Sequence, residues 1–271
     1  MALAFQKYHG IGNDFLLVEV DDPQGFGVER AQRLCDRHFG VGGDGVLLIG
    51  PARTAGARAS MTVINSDGST PEMCGNGLRC VALYLARKAG QEQSEFLVDT
   101  GAGPLLCQVQ DAPAGARVTT DIGRGTALGE LTLSVEQPEQ ATATEFVFHR
   151  LATGNPHAIC FRTPISSELL DVVGPKVNSL IPGGANVEIA HQLGPQELAV
   201  AVWERGVGRT LACGTGAAAT VIEAVRQGRC PADAPVVVHL PGGPLTITVK
   251  ADSFARLSGP AAYVYAGSTD L

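Results

Sequence analysis

The sequence predicts an α+β protein built from two similar halves, each a mixed barrel or sheet of strands around a central helix, with an active site in the cleft between the halves. Three observations favour this fold class. The pattern C-G-x-G occurs twice, at residues 74–77 and 213–216, and each copy opens a helix-like stretch. Strand-like segments and glycine-containing turns lie at similar sequence distances from both copies. The chain has 271 residues, a length at which single cores tend to split into domains.

The two central helices are predicted from the spacing of their apolar residues. Residues 78–86 follow the first C-G-x-G and place their apolar side chains on one helical face. Residues 217–226 repeat this pattern after the second copy. A glycine follows each stretch, at Gly90 and Gly228, which is typical of a helix C-terminal cap.

Other landmarks lie in register with the two cysteines of the repeat. Strand-like segments end nine residues before each cysteine, at Asn65 and Glu204. Gly-Asn pairs that precede apolar strands end at Asn13 and Asn155, 61 and 58 residues before the respective cysteines. One C-G-x-G pair would be weak evidence, but several landmarks in register indicate an internal duplication.

The boundary between the halves is predicted from composition. The N-terminal half is assigned to residues 1–123 and the C-terminal half to residues 124–259. The strand-like residues 260–271 are expected to join the first half, although pattern alone does not fix their partner. Glycine and charged residues between Thr120 and Gly125 are typical of a linker.

Composition excludes several classes of function. The formal charge is −7, with 20 Lys+Arg against 27 Asp+Glu, so a nucleic-acid partner is not expected. No apolar run reaches the roughly 18 residues of a membrane span, and residues 1–10 lack the layout of a signal peptide. The expected location is therefore the cytoplasm.

Seven cysteines, an odd number without a C-x2-C pair, argue against a disulfide framework and against a zinc site.

Cys74 and Cys213 are the two cysteines for which a role beyond core packing is expected. Each lies directly before a predicted helix, where unpaired N–H groups and the helix dipole lower a thiol pKa and bind a carboxylate. On opposite walls of a cleft, the two sulfurs would flank the carbon attached to that carboxylate. The pattern predicts inversion at this carbon, in which one thiolate removes the α-proton and the other thiol returns a proton.

Further candidates are weaker when taken alone. A histidine in a strand, such as His157, is usually structural, and a Glu-Arg pair such as Glu204-Arg205 is usually a solvated surface pair. Asparagines near glycines are commonly turn residues. The fixed offsets of His157 and Glu204 from the second cysteine favour a place in the site.

The sequence resembles the diaminopimelate epimerase family over essentially the whole chain. The motifs that carry the resemblance are residues 7–15 (KYHGIGNDF), 65–69 (NSDGS), 72–80 (EMCGNGLRC), 153–157 (TGNPH), 185–187 (ANV), 203–208 (WERGVG) and 212–216 (ACGTG). The resemblance implies epimerisation of LL-diaminopimelate to meso-diaminopimelate, in lysine and peptidoglycan precursor biosynthesis. It also implies a cytoplasmic homodimer that uses no cofactor and no metal.

The resemblance implies roles for individual residues. Cys74 and Cys213 match the two catalytic bases, and His157 and Glu204 match positions that tune the pKa values of the cysteines. The sequence departs from some members at Gly45, where they carry glutamine, and at Thr70, where an acidic residue is common. The residues that match substrate-binding positions are Asn13, Asn65, Gly75, Asn76, Asn155, Asn186, Glu204, Arg205, Gly214 and Thr215.

Three alternatives remain open at this point. A proline-racemase-like or phenazine-biosynthesis-like relative would share the duplicated fold. The second cysteine argues against the phenazine type, and the Glu204-Arg205 pair favours an acyclic substrate with two charged ends over proline. A non-catalytic amino-acid binding protein would not need both thiols. Dependence on pyridoxal phosphate is disfavoured, because none of the four lysines lies in the repeated site.

Overall fold

The fold is described from a computed structural model, which describes residues 2–113, 115–135, 144–162 and 167–271. The chain forms two compact units. The first comprises Met1–Asp121 and Ser258–Leu271, and the second comprises Ile122–Leu257. In chain order the elements are β1 (Leu3–Gly10), β2 (Asn13–Glu19), α1 (Val28–Cys35), β3 (Gly45–Gly50), β4 (Ala57–Asn65), α2 (Gly75–Lys88), β5 (Gln93–Thr100), β6 (Gly103–Ala112), β7 (Gly115–Arg124), β8 (Thr126–Val135), β9 (Thr144–Thr153), β10 (Asn155–Phe161), α3 (Ser167–Leu180), β11 (Asn186–Gly194), β12 (Glu197–Glu204), β13 (Gly208–Thr210), α4 (Gly214–Arg226), β14 (Pro235–Leu240), β15 (Gly243–Val249) and β16 (Phe254–Thr269).

The first unit is a closed sheet around helix α2. Strands β1 to β7 follow one another in chain order, and β16 pairs with both β7 and β1. The helix contacts strands β1 to β6, and all of its residues from Gly75 to Ala86 are buried. The apolar side chains among them, together with Tyr8, Phe15 and Leu47, belong to the main apolar core of the unit.

The second unit surrounds helix α4 in the same manner. Its strand order is β15-β14-β12-β11-β10-β9-β8, with the short strand β13 on β12. The helix contacts β9, β10, β11 and β15 and is buried from Gly214 to Ala224. Small residues such as Ala217 and Ala218 in its first turns allow the surrounding strands to approach closely.

The two units repeat one pairing scheme. In the first, β1–β2, β3–β4 and β5–β6 are antiparallel, whereas β2–β3 and β4–β5 are parallel. In the second, β9–β10, β11–β12 and β14–β15 are antiparallel, whereas β10–β11 and β12–β14 are parallel. Helices α1 and α3, and then α2 and α4, occupy matching places in this order. The predicted α+β fold of two similar halves, each around a central helix, is confirmed.

Both central helices end as the sequence predicts. Gly90 and Gly228 adopt φ values of +66° and +69°, a left-handed conformation that glycine adopts without steric cost. The backbone N–H groups of Gln91 and Arg229 then donate to carbonyls of the last helical turn. These bonds satisfy acceptors that a helix end otherwise leaves unpaired.

One local prediction is wrong: the stretch from Thr120 to Gly125 is not a linker. Residues up to Arg124 belong to β7, and the change from the first unit to the second falls within this strand. Val118, Thr120 and Ile122 are buried in alternation, as one face of a strand requires. The glycine and charged residues that suggested a linker occupy the intervening, more exposed positions.

The C-terminal strand pairs antiparallel with the N-terminal one. The register between β1 and β16 runs from Leu3 opposite Thr269 to His9 opposite Ala262, with an irregularity between Lys7 and Tyr8.

Within the described part of the chain, no helix is both long enough and apolar enough to cross a membrane.

Candidate active site

The two repeated cysteines occupy the same local structure, one in each unit. Cys74 is the N-cap of α2 with φ −134° and ψ 112°, and Cys213 is the N-cap of α4 with φ −124° and ψ 106°. Each sulfur accepts a hydrogen bond from the backbone N–H three residues on, Gly77 at 3.4 Å and Gly216 at 3.3 Å. The sulfur thus replaces the oxygen of an ordinary capping side chain. This position aims helix N–H groups at each thiol.

The last residue of each C-G-x-G has no room for a side chain. A Cβ at Gly77 would lie 2.9 Å from Cδ2 of Leu47, and one at Gly216 would lie 2.5 Å from Oε1 of Glu188. At Gly216 the Cβ would also lie 3.2 Å from the sulfur of Cys213. Glycine therefore lets other groups pack directly against both helix starts.

In the first unit, two predicted site residues are joined by their side-chain amides. Nδ2 of Asn76 donates to Oδ1 of Asn13 at 3.0 Å, and Nδ2 of Asn13 donates to Oδ2 of Asp44 at 2.7 Å. Asp44 also accepts from the guanidinium of Arg37 at 2.8 Å. The turn that begins β2 is thereby fixed to the start of α2.

Arg79 completes this network and was not identified from the sequence. Its side chain is fully buried, and its guanidinium donates to the carbonyls of Gly75 and Pro260 and to Oδ1 of Asn76. Burial lowers the pKa of the Arg79 guanidinium to about 10, although the nearby Cys80 and Cys74 thiols oppose the shift. A sequence signal existed, since Arg79 interrupts an otherwise small and apolar stretch of α2.

Asn65 is held separately, at the end of β4. Its Nδ2 donates to Oγ of Ser69 at 2.9 Å, and its backbone N–H donates to the carbonyl of the same serine. Gly45 lies opposite Asn65 in the β3–β4 pairing, and a Cβ at Gly45 would lie 2.9 Å from the carbonyl oxygen of Ile64. The backbone around Gly45 therefore leaves no space for the glutamine that some family members carry.

The second unit contains the equivalent asparagine contact. Nδ2 of Asn155 donates to Oγ1 of Thr215 at 3.3 Å, and Thr215 occupies the place that Asn76 holds in the first unit. Oγ1 of Thr215 lies 3.5 Å from the sulfur of Cys213. The repeat thus preserves the contact between the Gly-Asn turn and the third residue of C-G-x-G.

His157 connects this contact to a buried carboxylate. Its Nε2 lies 3.0 Å from Oδ1 of Asn155, and its Nδ1 lies 2.8 Å from Oε1 of Glu188. Both His157 and Glu188 are almost completely buried, and Oε2 of Glu188 has no hydrogen-bond partner within the described residues. Sequence reasoning missed Glu188, although an acidic residue inside the apolar strand β11 was a signal.

The remaining predicted residues lie where β11 begins and β12 ends. Oδ1 of Asn186 accepts from the backbone N–H of Arg205 at 2.9 Å, and the Arg205 guanidinium donates to the carbonyl of Gly183 at 3.0 Å. Oε1 of Glu204 accepts from Oγ1 of Thr210 at 2.6 Å. Asn186 is the register partner of His157 in the parallel β10–β11 pair, so strand pairing brings these residues to one edge.

The electrostatic environment of Cys213 corrects one expectation. Burial, followed by the nearby Glu204 and Glu188 carboxylates, raises the pKa of the Cys213 thiol well above its usual range. The Thr215 hydroxyl and the Gly216 N–H oppose this shift without overcoming it. The prediction of a lowered thiol pKa is therefore wrong for Cys213, because burial and like charge outweigh the helix N-terminus.

The pKa of Glu204 is shifted in the same direction as the pKa of Cys213. Burial is the main cause, and the Glu188 carboxylate adds to it, so the pKa of Glu204 lies above its ordinary value. Hydrogen bonds from Thr210 and Cys213, and the proximity of His157, act in the opposite direction. The second unit therefore places next to its cysteine a glutamate, Glu204, whose pKa is raised.

The seven cysteines differ in accessibility. None of them forms a disulfide, and Cys74 alone is partly exposed whereas the other six are buried. All seven lie within the described residues. Burial raises the pKa of Cys35 and Cys160 to about 11, of Cys80 and Cys107 to about 12, and of Cys230 above its ordinary value.

Solved structures with this fold include epimerases and related proteins. A hydroxyproline epimerase from Agrobacterium vitis superposes with a TM-score of 0.77 at 14% identity, covering 99% of this chain and 91% of that one. A phenazine biosynthesis protein from Bacillus anthracis gives a TM-score of 0.69 at 15% identity, with both chains covered completely. At such low identity these similarities establish the fold alone.

Sequence comparison is more specific. The family model for diaminopimelate epimerase matches residues 5–128 and 150–264. The diaminopimelate epimerase of Synechococcus elongatus is 40% identical over 289 residues, covering 100% of this chain and 99% of the relative. That of Desulfitobacterium hafniense is 40% identical over 279 residues, covering 96% of each. The chain belongs to the diaminopimelate epimerase family.

Proposed function

We propose that the chain interconverts LL- and meso-diaminopimelate without a cofactor, a step in lysine and peptidoglycan precursor biosynthesis. Membership of the family supports epimerase activity. The structural observation that carries the proposal is the duplicated cysteine. Cys74 and Cys213 cap two equivalent helices, and in each unit an asparagine from the matching turn forms a hydrogen bond with the third residue of C-G-x-G.

In the proposed reaction the two sulfurs act on one α-carbon. A thiolate removes the α-proton, the electron pair of the C–H bond passes into the carboxylate as an enediolate, and a thiol delivers a proton to the opposite face. The raised pKa of Cys213 supports its role as the protonated partner in the resting enzyme. Cys74 is then the base, and the roles exchange for the reverse reaction.

The N-terminal turns of α2 and α4 are suited to stabilise the negative charge of the enediolate, which the thiols alone do not stabilise. The N–H groups of Gly75, Asn76, Gly214 and Thr215 lie in the first turns of α2 and α4, where intrahelical acceptors are absent. They are suited to bind the substrate carboxylate at the reacting end and to stabilise the charge that develops on it. Preorganised donors of this kind usually make the largest single contribution in such reactions.

The distal end of the substrate is assigned to polar residues at the strand ends. Glu204 is suited to the distal ammonium group and Arg205 to the distal carboxylate, which a guanidinium binds through two parallel hydrogen bonds. A site built to pair both groups would reject amino acids that lack them, because its own polar groups would then stay buried and unpaired. Asn13, Asn65, Asn155 and Asn186 are the further proposed ligands.

The proposal is tested by exchange of the α-proton with solvent. Purified protein without added cofactor is incubated with LL-diaminopimelate in heavy water, and deuterium at the α-carbon is measured by NMR. We expect meso-diaminopimelate carrying one solvent deuteron. Proline and hydroxyproline, supplied in parallel, should remain unchanged. Turnover of those amino acids but not of diaminopimelate would favour the proline-racemase-like alternative.

Variants of the cysteines identify the bases. Cys74→Ala and Cys213→Ala should each abolish epimerisation while the circular dichroism spectrum stays unchanged. Cys230→Ala, which removes a buried thiol outside the C-G-x-G motifs, is the control and should retain activity. Substantial activity in either of the first two variants would refute the two-base reaction.

We further propose that the protein acts as a homodimer. Tyr263, Val264 and Tyr265 are consecutive in β16 and each is more than 40% exposed. Successive strand residues point to opposite faces, so this part of β16 is open to solvent on both faces. An apolar segment exposed in this way is typical of a protein–protein contact.

Sedimentation velocity tests the dimer. Val264→Glu should convert it to a monomer, because the charge would be buried in the contact. Val172→Glu changes a comparably exposed valine on α3 and should leave the dimer intact. We also propose that the enzyme is cytoplasmic, since seven cysteines that form no disulfide are typical of a reducing compartment.

A further inference from the structure

The turn between β1 and β2 places an isoleucine in a left-handed backbone conformation. Gly10 pairs with Asn13 across the two strands, so Ile11 and Gly12 form a two-residue hairpin turn. Their φ values are +48° and +87°, and positive φ at both central residues is the mark of a type I′ turn. Asparagine or glycine is usual at the first of these positions, whereas a β-branched residue is strained there.

This strain is not required by the fold. Ile11 is the one β-branched residue with a positive φ in the part of the chain that the structure describes. In the matching turn of the second unit, Thr153 pairs with Asn155 and Gly154 alone lies between them, with φ +89°. The duplicated framework therefore makes an equivalent turn with glycine, and the isoleucine of the first unit needs another explanation.

The side chain of Ile11 is buried, although it belongs to the tip of a hairpin. Only 6% of the residue is exposed. The residue before it packs on α2, since a Cβ at Gly10 would lie 2.9 Å from Nη2 of Arg79 and 3.3 Å from the carbonyl oxygen of Asn76. Burial of an isoleucine side chain offsets the cost of a left-handed residue. The hairpin is therefore held in its strained form, with its end against the first turn of α2.

The turn determines where the side chain of Asn13 lies, because Asn13 follows it directly. Nδ2 of Asn13 lies 2.7 Å from Oδ2 of Asp44, and its Oδ1 lies 3.0 Å from Nδ2 of Asn76. The backbone N–H of Asp14 donates to the same oxygen of Asp44 at 3.0 Å. A different turn would rotate the chain at Asn13 and break these contacts together. Strained residues persist where the surrounding structure fixes them, and they cluster at functional sites.

We propose that Ile11 is a positioning residue: the burial of its side chain holds the hairpin in a strained type I′ turn, and this turn fixes the side chain of Asn13 between Asp44 and Asn76. The kinetic part of this inference rests on the proposed epimerase function, in which Asn13 and Asn76 bind the substrate. The position of the Asn13 side chain is measured without any substrate.

Three substitutions separate this role from ordinary core packing. Ile11→Val keeps a buried β-branched side chain and should behave like the unaltered protein. Ile11→Ala removes most of the side chain but keeps the Cβ that disfavours a left-handed backbone, whereas Ile11→Gly removes both the side chain and the strain. We expect the damage to increase in the order valine, glycine, alanine. At an ordinary buried position glycine would be worse than alanine, since glycine loses more conformational entropy on folding.

Two measurements should follow this order. The first is hydrogen exchange of the Asn13 and Asn76 side-chain amides, observed by NMR on protein labelled with ¹⁵N-asparagine and assigned with Asn13→Asp. Exchange should be fastest in Ile11→Ala. The second is kcat/KM for diaminopimelate, which should fall at least about tenfold in Ile11→Ala, mainly through KM, because Asn13 is a proposed ligand and not a base. Ile11→Gly should lose less than Ile11→Ala in both measurements.

The reverse order, with Ile11→Ala milder than Ile11→Gly, would overturn the proposal, and so would unchanged exchange at Asn13 in both variants. If Ile11→Ala fails to fold while Ile11→Gly folds, the expected order holds. Comparison of Ile11→Gly with Ile11→Val then decides whether the buried side chain positions Asn13. Loss of folding in both the alanine and the glycine variants would make Ile11 an ordinary core residue and would also overturn the assigned role.

Ser253 provides the matched control. It has φ +63° and lies in the turn between β15 and β16 in the second unit, where its N–H donates to the carbonyl of Lys250 at 2.9 Å. Ser253→Ala and Ser253→Gly should leave the Asn13 signal and the kinetics unchanged. If the exchange order holds for the Ile11 variants but the unaltered protein does not act on diaminopimelate, the proposed function fails while the structural role of Ile11 stands.

Discussion

The guanidinium of Arg79 donates to Oδ1 of Asn76 across 2.9 Å, one helical turn apart on α2. This bond begins a chain that continues from Asn76 to Asn13 and ends at the carboxylate of Asp44. A guanidinium can only donate and a carboxylate can only accept. The two amides between them therefore have one orientation, which presents the same polar atoms to any ligand at the start of α2.

Replacement of Arg79 tests whether this chain positions the site. Arg79→Lys keeps the positive charge. A lysine ammonium cannot, however, reach all three acceptors that the planar Arg79 guanidinium binds, on Gly75, Asn76 and Pro260. Because buried acceptors would lose their donors, we expect the free energy of unfolding to fall by about 1–3 kcal/mol. We also expect kcat/KM for diaminopimelate to fall at least about tenfold, since two substrate ligands lose their fixed orientation. Urea unfolding and steady-state kinetics measure the two effects.

Arg87→Lys provides the comparison on the same helix. Arg87 forms a surface ion pair with Asp111 at 2.6 Å, and exposed pairs usually contribute about 0–1 kcal/mol. Stability and kinetics should both stay close to those of the unaltered protein. Equal losses in the two variants would indicate a general effect of arginine replacement, and Arg79 would then have no special positioning role.

Alkylation should discriminate between the two repeated cysteines. Cys74 is partly exposed, whereas Cys213 is buried and its pKa is raised. Since the thiolate is the nucleophile, iodoacetamide at about pH 8 should modify Cys74 first and inactivate the protein in step with that modification. Peptide mass spectrometry over time identifies the modified residue. Prior labelling of Cys213 would contradict the assignment of Cys74 as the resting base.

The hydroxyl of Thr215 should set the pH dependence of Cys213. This hydroxyl lowers the pKa of the thiol, so Thr215→Val should raise that pKa further and leave less thiolate at any given pH. The alkaline rise of kcat/KM that depends on the Cys213 thiolate should therefore move to higher pH. Thr215→Ser keeps the hydroxyl and should restore the original profile. Superimposable profiles for the valine and unaltered proteins would exclude this contribution.

The paired cysteines, the central helices and the Gly-Asn turns at Asn13 and Asn155 were predictable because the duplication repeats them at similar offsets, whereas Asn65, Asn76 and Asn186 were proposed as ligands from the family resemblance alone. Arg79 and Glu188 escaped this reasoning because each has no counterpart in the other half. Their partners are also distant along the chain: Arg79 bonds Pro260, 181 residues away, and Glu188 bonds His157, 31 residues away. The pKa of Cys213 was wrongly predicted for the same reason, since the carboxylates that raise it come from neighbouring strands rather than from its own helix.

A last prediction compares the equivalent glycines of the two motifs. An added Cβ at Gly216 would lie 2.5 Å from Oε1 of Glu188 and 3.2 Å from the sulfur of Cys213. At Gly77 the closest contact would be the methyl end of Leu47, at 2.9 Å, which can shift by a change of rotamer. Gly216→Ala should therefore displace the Glu188–His157 pair and reduce kcat about tenfold to hundredfold. Gly77→Ala should reduce kcat much less, with a stability change of about 1–3 kcal/mol from crowding around the buried leucine. Kinetics and urea unfolding of both variants check this, and a larger loss of kcat in Gly77→Ala would show that the carboxylate contact at Gly216 does not govern the position of the thiol.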